Sequence, residues 1–174
     1  MSKLFSSLSI RGVTFSNRIV LSPLCMYSAK DGLPNDWHFS HLSTFARARI
    51  GCIFAEATAV SSEGMITPFC LGLWNEQQKN AFKPIVSFIK KMGSIPAFQL
   101  AHAGRKAGTK EPWRGGLPLD LEDEKKGYGP WNTIAPSAIP VADGWKIPKE
   151  MNENDIDSLI NSYVKSAKLA LEAG

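Results

Sequence analysis

Cys25, Met26 and Tyr27 place a thiol, a thioether and a phenol in three consecutive residues. They follow Ile19-Val20-Leu21, a mostly β-branched run that is broken by Ser22-Pro23. Such a run suits a strand buried on both faces of a parallel sheet. Proline, lacking a backbone N–H, then stops the ladder. Reactive side chains just past the C-terminal end of a buried strand stand where α/β barrels and open α/β sheets carry their active sites. Two more apolar runs behave alike: CIFAEATA (52–59) delivers Glu56, Ala57 and Thr58, and 95–100 delivers Gln99 and then His102. In a parallel sheet these ends meet on one face, so the residues can share one site. The set has no nucleophile elbow, no GxxxxGK phosphate grip and no dinucleotide fingerprint. It offers an amide that both donates and accepts, a soft thiol, a phenol and small backbone at Ala57 and Ala101. That chemistry suits a flat heterocyclic ligand better than hydrolysis.

Plainer readings stand beside these. An isolated buried cysteine is ordinarily a small hydrophobe. His38 and His41 lie three residues apart and, with His102, would suit a metal-dependent hydrolase, but helical histidines at that spacing ordinarily pack or face solvent, so no metal is expected. Glu56 reads as a general base or as a structural carboxylate, with Arg105 or Lys106 the expected partner. The glycines of AHAGRKAG offer backbone amides to a phosphate.

The elements that must position these residues follow from pattern. Segments 4–10 and 13–15 around Arg11-Gly12 predict a β-hairpin. Asp36 predicts a helix cap, with His38, His41, Leu42, Phe45 and Ala46 at helical spacing and Gly51 as the stop. Residues 61–73 read as loop. Asn75 with Gln78 predicts a capping box for a helix striped by Phe82, Ile85, Val86 and Ile89, in which Pro84 predicts a kink or a late start. About 45 residues rich in Gly, Pro and charge then run to Met151, a length that marks a functional or disordered connection. Asn152 and Asp155 begin a last helix striped by Ile156, Leu159, Ile160, Tyr163, Val164 and Ala167. Three βα units imply an α/β fold with a parallel sheet and right-handed crossovers.

Composition narrows the class. At 174 residues with 44% hydrophobic and 21% charged content, the chain fits one globular domain. No apolar run reaches the roughly 18 residues of a membrane span, and the N-terminus lacks a secretory pattern. Three cysteines without paired spacing predict a reducing, cytoplasmic setting. The net charge of +4 fits an anionic cofactor, but its scatter argues against a nucleic-acid partner.

Five motifs, SPLCMYS, NDWHFSHL, EATAVSSEGMITP, QLAHAGRKA and IAPSAIP, occur in order along most of the chain. Together they resemble the flavin-dependent ene reductases of the old yellow enzyme family, in its bacterial branch with a cysteine beside the flavin. The resemblance implies the N-terminal part of a (β/α)8 TIM barrel, preceded by the hairpin of residues 4–15, with three βα units over 18–174. It implies noncovalent FMN, reduced by NADPH or NADH, passing hydride from flavin N5 to an activated alkene such as an enone. Ser22, Pro23, Leu24 and Cys25 match the segment along the flavin, Ala57 a backbone contact to the ring, Gln99 the amide at its pyrimidine edge, and Tyr27 the phenol in the substrate pocket. Donors on that edge stabilise charge that builds near N1 and O2 on reduction.

The same resemblance places three further parts of the machinery beyond this sequence. These are the histidine pair that holds the substrate carbonyl, the proton-donating tyrosine and the arginines that grip the FMN phosphate. The 174 residues are therefore expected to form an incomplete FMN-binding domain with no catalytic residue of its own. They are also expected to be marginal alone, because three strands leave long edges open. A second chain or a homo-oligomer would complete the barrel. The competing expectation is an inactive remnant or interaction module that keeps the half-barrel as a docking surface.

Overall fold

The computed structural model describes residues 2–174. A short antiparallel hairpin comes first, from β1 (Leu8–Ile10) and β2 (Val13–Phe15). Arg11 and Gly12 form its two-residue turn, both at positive φ (46° and 84°), as a type I′ turn requires. The hairpin is shorter than predicted, because residues Lys3–Phe5 wind into a 3-10 turn.

The main sheet is built from β3 (Val20–Leu21), β4 (Cys52–Ala59), β5 (Leu71–Gly72) and β6 (Ile95–Ala101), all parallel. β4 is its centre, and its near-continuous burial explains the apolar run in the sequence. β6 pairs along the whole of β4, so β3 and β5 share the opposite edge of β4, one at each end. The expectation of a strand buried on both faces at residues 19–21 fails: β3 has two residues, and Val20 is half exposed.

Helices α1 (Asp36–Arg47) and α2 (Glu76–Lys91) form the crossovers. Asn35, not Asp36, caps α1, its side-chain oxygen accepting from the Trp37 amide. Asn75 caps α2 as predicted, but the Gln78 side chain accepts from the Trp74 amide rather than closing a capping box. α2 runs unbroken through Pro84, which lies on its exposed side. Pro84 removes the donor that the Asn80 carbonyl would use, and Asn80 is itself exposed. The core joins Leu42 and Ala46 of α1, Ile53 of β4, Leu71 and Leu73, and Phe82, Ile85, Val86 and Ile89 of α2. Phe98 of β6 meets Phe82 edge-on, ring centroids 4.8 Å apart.

The 107–150 connection is ordered rather than structureless. It carries a short helix α3 (Leu121–Lys125) and a parallel pair, β7 (Ile134–Ala135) and β8 (Lys149–Glu150). Its anchor is Asp123, fully buried, which accepts from Arg114 Nη2 at 2.5 Å and from the Asp120 amide at 3.2 Å. Residues 61–73, expected as loop, contain a 3-10 turn (Ser62–Gly64) as well as β5. The last helix, α4 (Glu153–Ala173), starts with the predicted Asn152–Asp155 capping box and reaches the core through Leu169 and Ala173.

Candidate active site

Residues 22–28 leave β3 and cross the C-terminal end of the sheet. Cys25 is half-buried. Burial first, and then the Glu56 charge, push its thiol up from the usual value, while the Ala57 backbone amide and the Tyr27 hydroxyl pull the other way. The thiol therefore lies among Ala57, Tyr27 and Glu56. Tyr27 holds a left-handed backbone, φ 49°, which costs a non-glycine residue free energy and clusters at functional sites. Its ring packs edge-on to Trp113 at 5.8 Å. Burial, and then the Cys25 and Cys70 thiols, push its hydroxyl up to about 12. Tyr27 also lines a cavity of about 330 Å³ with Ile66, Thr109, Val141 and Trp145.

The register of β4 and β6 places Ala57 beside Gln99. A β-bulge makes this possible. Ala55 pairs with Phe98 and Ala57 with Gln99, so Glu56 is the extra residue. Paired residues share a face and consecutive residues alternate, so the bulge moves Ala57 off the Phe98 face and onto that of Gln99. Gln99 is exposed, and among the described residues its side chain has no hydrogen-bond partner. Ser22 and Leu24 are exposed too, and Pro23 is half-buried. The structure thus gathers Cys25, Tyr27, Ala57 and Gln99 at one end of the sheet. An amide with free donors and acceptors, beside small backbone and a half-buried thiol, fits the edge and face of a planar heterocycle.

Glu56 departs from expectation. It is buried, and its carboxylate accepts from the Met26 amide and from His38 Nε2 at 3.3 Å. Arg105 instead donates to the Ile139 carbonyl and to Ser137 Oγ, both at 2.9 Å, and so pins the IAPSAIP segment. His38, His41 and His102 do not converge. His38 is bonded to Asn35 and Glu56, and His41 packs against Phe45. His102 accepts from the Gly104 amide through Nδ1 at 3.0 Å, and its ring lies so close to Gly64 that a Cβ there would stand 2.5 Å away. Among the described residues no cluster of three metal-ligating side chains forms. Sequence reasoning missed the Glu56–His38 pair, although a lone glutamate inside an otherwise apolar strand was the signal for it.

The model of the NADH:flavin oxidoreductase / NADH oxidase family matches residues 3–174. The chain belongs to this family. It is similar to NADH:flavin oxidoreductase FG08077 of Gibberella zeae, 42% identical over 99% of this chain and 42% of that protein. It is also similar to the NADPH dehydrogenase of a Geobacillus species, 39% identical over 98% of this chain and 45% of the relative. Among solved structures, the old yellow enzyme homologue from Zymomonas mobilis superposes with a TM-score of 0.79 at 27% identity, over 99% of this chain and 46% of the other. Morphinone reductase superposes with a TM-score of 0.77 at 23% identity, a likeness of fold. These neighbours are TIM barrels of the old yellow enzyme type, and the match falls on their N-terminal part. The chain spans less than half the length of the relatives it matches. The family is one of FMN-dependent oxidoreductases that use a nicotinamide dinucleotide. Among the described residues no helix is long and apolar enough to cross a membrane.

Proposed function

We propose that residues 22–25, Ala57 and Gln99 form the flavin-ring half of the site of an FMN-dependent NAD(P)H oxidoreductase whose second substrate is an activated alkene. The observation that carries this reading is the bulged register that sets Ala57 beside the exposed Gln99 amide, with the Cys25 thiol against the Ala57 amide. Bound there, FMN would supply hydride exchange between nicotinamide and alkene. The residues of this chain hold the ring. Gln99 hydrogen-bonds its pyrimidine edge, worth about 0.5–1.5 kcal/mol as one neutral hydrogen bond. Ser22, Pro23 and Leu24 lie along the ring, and the Cys25 S–H adds a polarizable contact that needs no thiolate. Tyr27, neutral across the working pH range, offers its hydroxyl to the small-molecule substrate from the wall of the adjoining cavity.

The open edge of β6 favours a further part to this reading. Additional strands, from the same protein or from a second chain, complete the barrel and supply the remaining groups. The test is to purify the complete protein with FMN and follow NADPH consumption with and without an enone such as cyclohexenone. A yellow protein whose NADPH oxidation accelerates with the enone is expected. A protein that stays colourless after reconstitution would overturn the flavin assignment, and a yellow protein indifferent to enones would overturn the substrate class.

A further inference from the structure

The segment that carries Cys25 and Tyr27 has no regular secondary structure, yet it holds a strained backbone at Tyr27. Something must hold it down. The Met26 amide, between the two residues of interest, donates to Glu56. His38, fully buried in α1, donates Nε2–H to the other Glu56 oxygen at 3.3 Å. That assignment follows from the acceptor it faces, a carboxylate oxygen, and leaves Nδ1 to accept from the Asn35 amide at 3.1 Å, with Asn35 Oδ1 also 3.1 Å away. Asn35 in turn donates through Nδ2 to the Ser28 carbonyl at 2.6 Å. The chain of bonds therefore grips the segment at Met26 and again at Ser28. It is anchored in the first turn of α1 and in the β4 bulge that also sets Ala57 beside Gln99.

We propose that Glu56 is a positioning residue: with His38 as its strut, the bulged carboxylate ties down the Met26 amide and so fixes Cys25 and Tyr27 at the end of the sheet. The inference deepens the flavin reading by naming what holds the thiol in place, and it is tested on the flavin-free protein, so its failure and the failure of that reading are separable. A second consequence is electrostatic. The groups facing Cys25 are Glu56 from β4, Tyr27 from its own segment and Cys70 from the loop before β5, while His38 and His41 of α1 face Glu56. Burial first, and then the carboxylate behind it, favour the protonated form of the thiol.

The experiment follows alkylation of Cys25 by iodoacetamide as a function of pH, read on the Cys25 peptide by mass spectrometry. Glu56→Gln keeps an oxygen for the Met26 amide and removes the charge. Its alkylation profile is expected to move to lower pH, with labelling near neutrality about three- to tenfold faster as the thiolate fraction rises. His38→Asn leaves the charge in place, so its profile is expected not to move down. Glu56→Ala removes the acceptor as well, so hydrogen exchange at its Met26 amide is expected to quicken; an amide as protected as in the wild type would overturn the proposal, and a Glu56→Gln profile that overlies the wild type would overturn its electrostatic consequence. Should the variants fail to fold, hydrogen exchange of the wild-type protein decides instead. Slow exchange at the Met26 amide supports the tie, and exchange as fast as in an open loop refutes it.

Discussion

At the scale of single residues, the proposed site is lined by side chains that burial holds neutral. Tyr27 is the clearest case, because burial and two neighbouring thiols carry its hydroxyl up to about 12. A phenol in that state donates a hydrogen bond to a carbonyl at any working pH. The expected outcome is that the difference between wild type and Tyr27→Phe in phenolate absorbance stays flat until pH exceeds about 11, and a step near 10 would refute the assignment. Cys25, Tyr27 and Gln99 stood out as candidates in the sequence because the first two follow a proline-stopped run and the third lies near the end of an apolar one. The role of Glu56 did not. Its partner His38 lies on another element, and the bulge that places it comes from pairing with β6, which no local pattern encodes.

At the scale of elements, local signals worked where one side chain meets the backbone beside it. The Asn152–Asp155 box and the Asn75 cap are examples, and β4 and β6 were readable from their apolar runs. They failed where tertiary context intervened. Pro84 suggested a kink, yet its exposed position lets α2 continue. The 107–128 stretch looked structureless because its order comes from ion pairs between residues up to thirteen apart: Lys110 with Asp120 at 2.5 Å, and Arg114 and Lys110 with Asp123 at 2.5 and 3.6 Å. This network makes a pH prediction. Bonding to Lys110 lowers the Asp120 carboxyl from 3.8 to about 2. A group lowered on folding contributes stability above its unfolded value, and that contribution is lost as pH falls through the folded value. Asp120→Asn retains the helix cap but not the charge. Wild type is therefore expected to melt higher than Asp120→Asn at neutral pH, with the gap closing between pH 4 and 2. A gap that persists unchanged at pH 2 would contradict the ion-pair account.

For the molecule as a whole, the helices cover one face of the sheet, while among the described residues β6 pairs on one side only. Beside it runs an apolar groove of about 370 Å³ lined by Val86, Pro96, Phe98, Leu100, Ala170 and Leu171, the last 81% exposed. An open strand edge next to apolar surface seeks a partner, and the relatives this chain matches are more than twice as long. On the flavin reading, what these residues would contribute is one wall: a thiol, a small backbone contact and an amide set in register. The most direct test of that wall is the visible absorption spectrum of the complete, FMN-loaded protein, compared with its Cys25→Ser and Gln99→Ala variants. Both substitutions are expected to shift the flavin bands, Gln99→Ala also weakening FMN binding by up to about tenfold, the loss of one neutral hydrogen bond. Flavin bands identical to wild type in both variants would contradict the placement of the ring against Cys25 and Gln99.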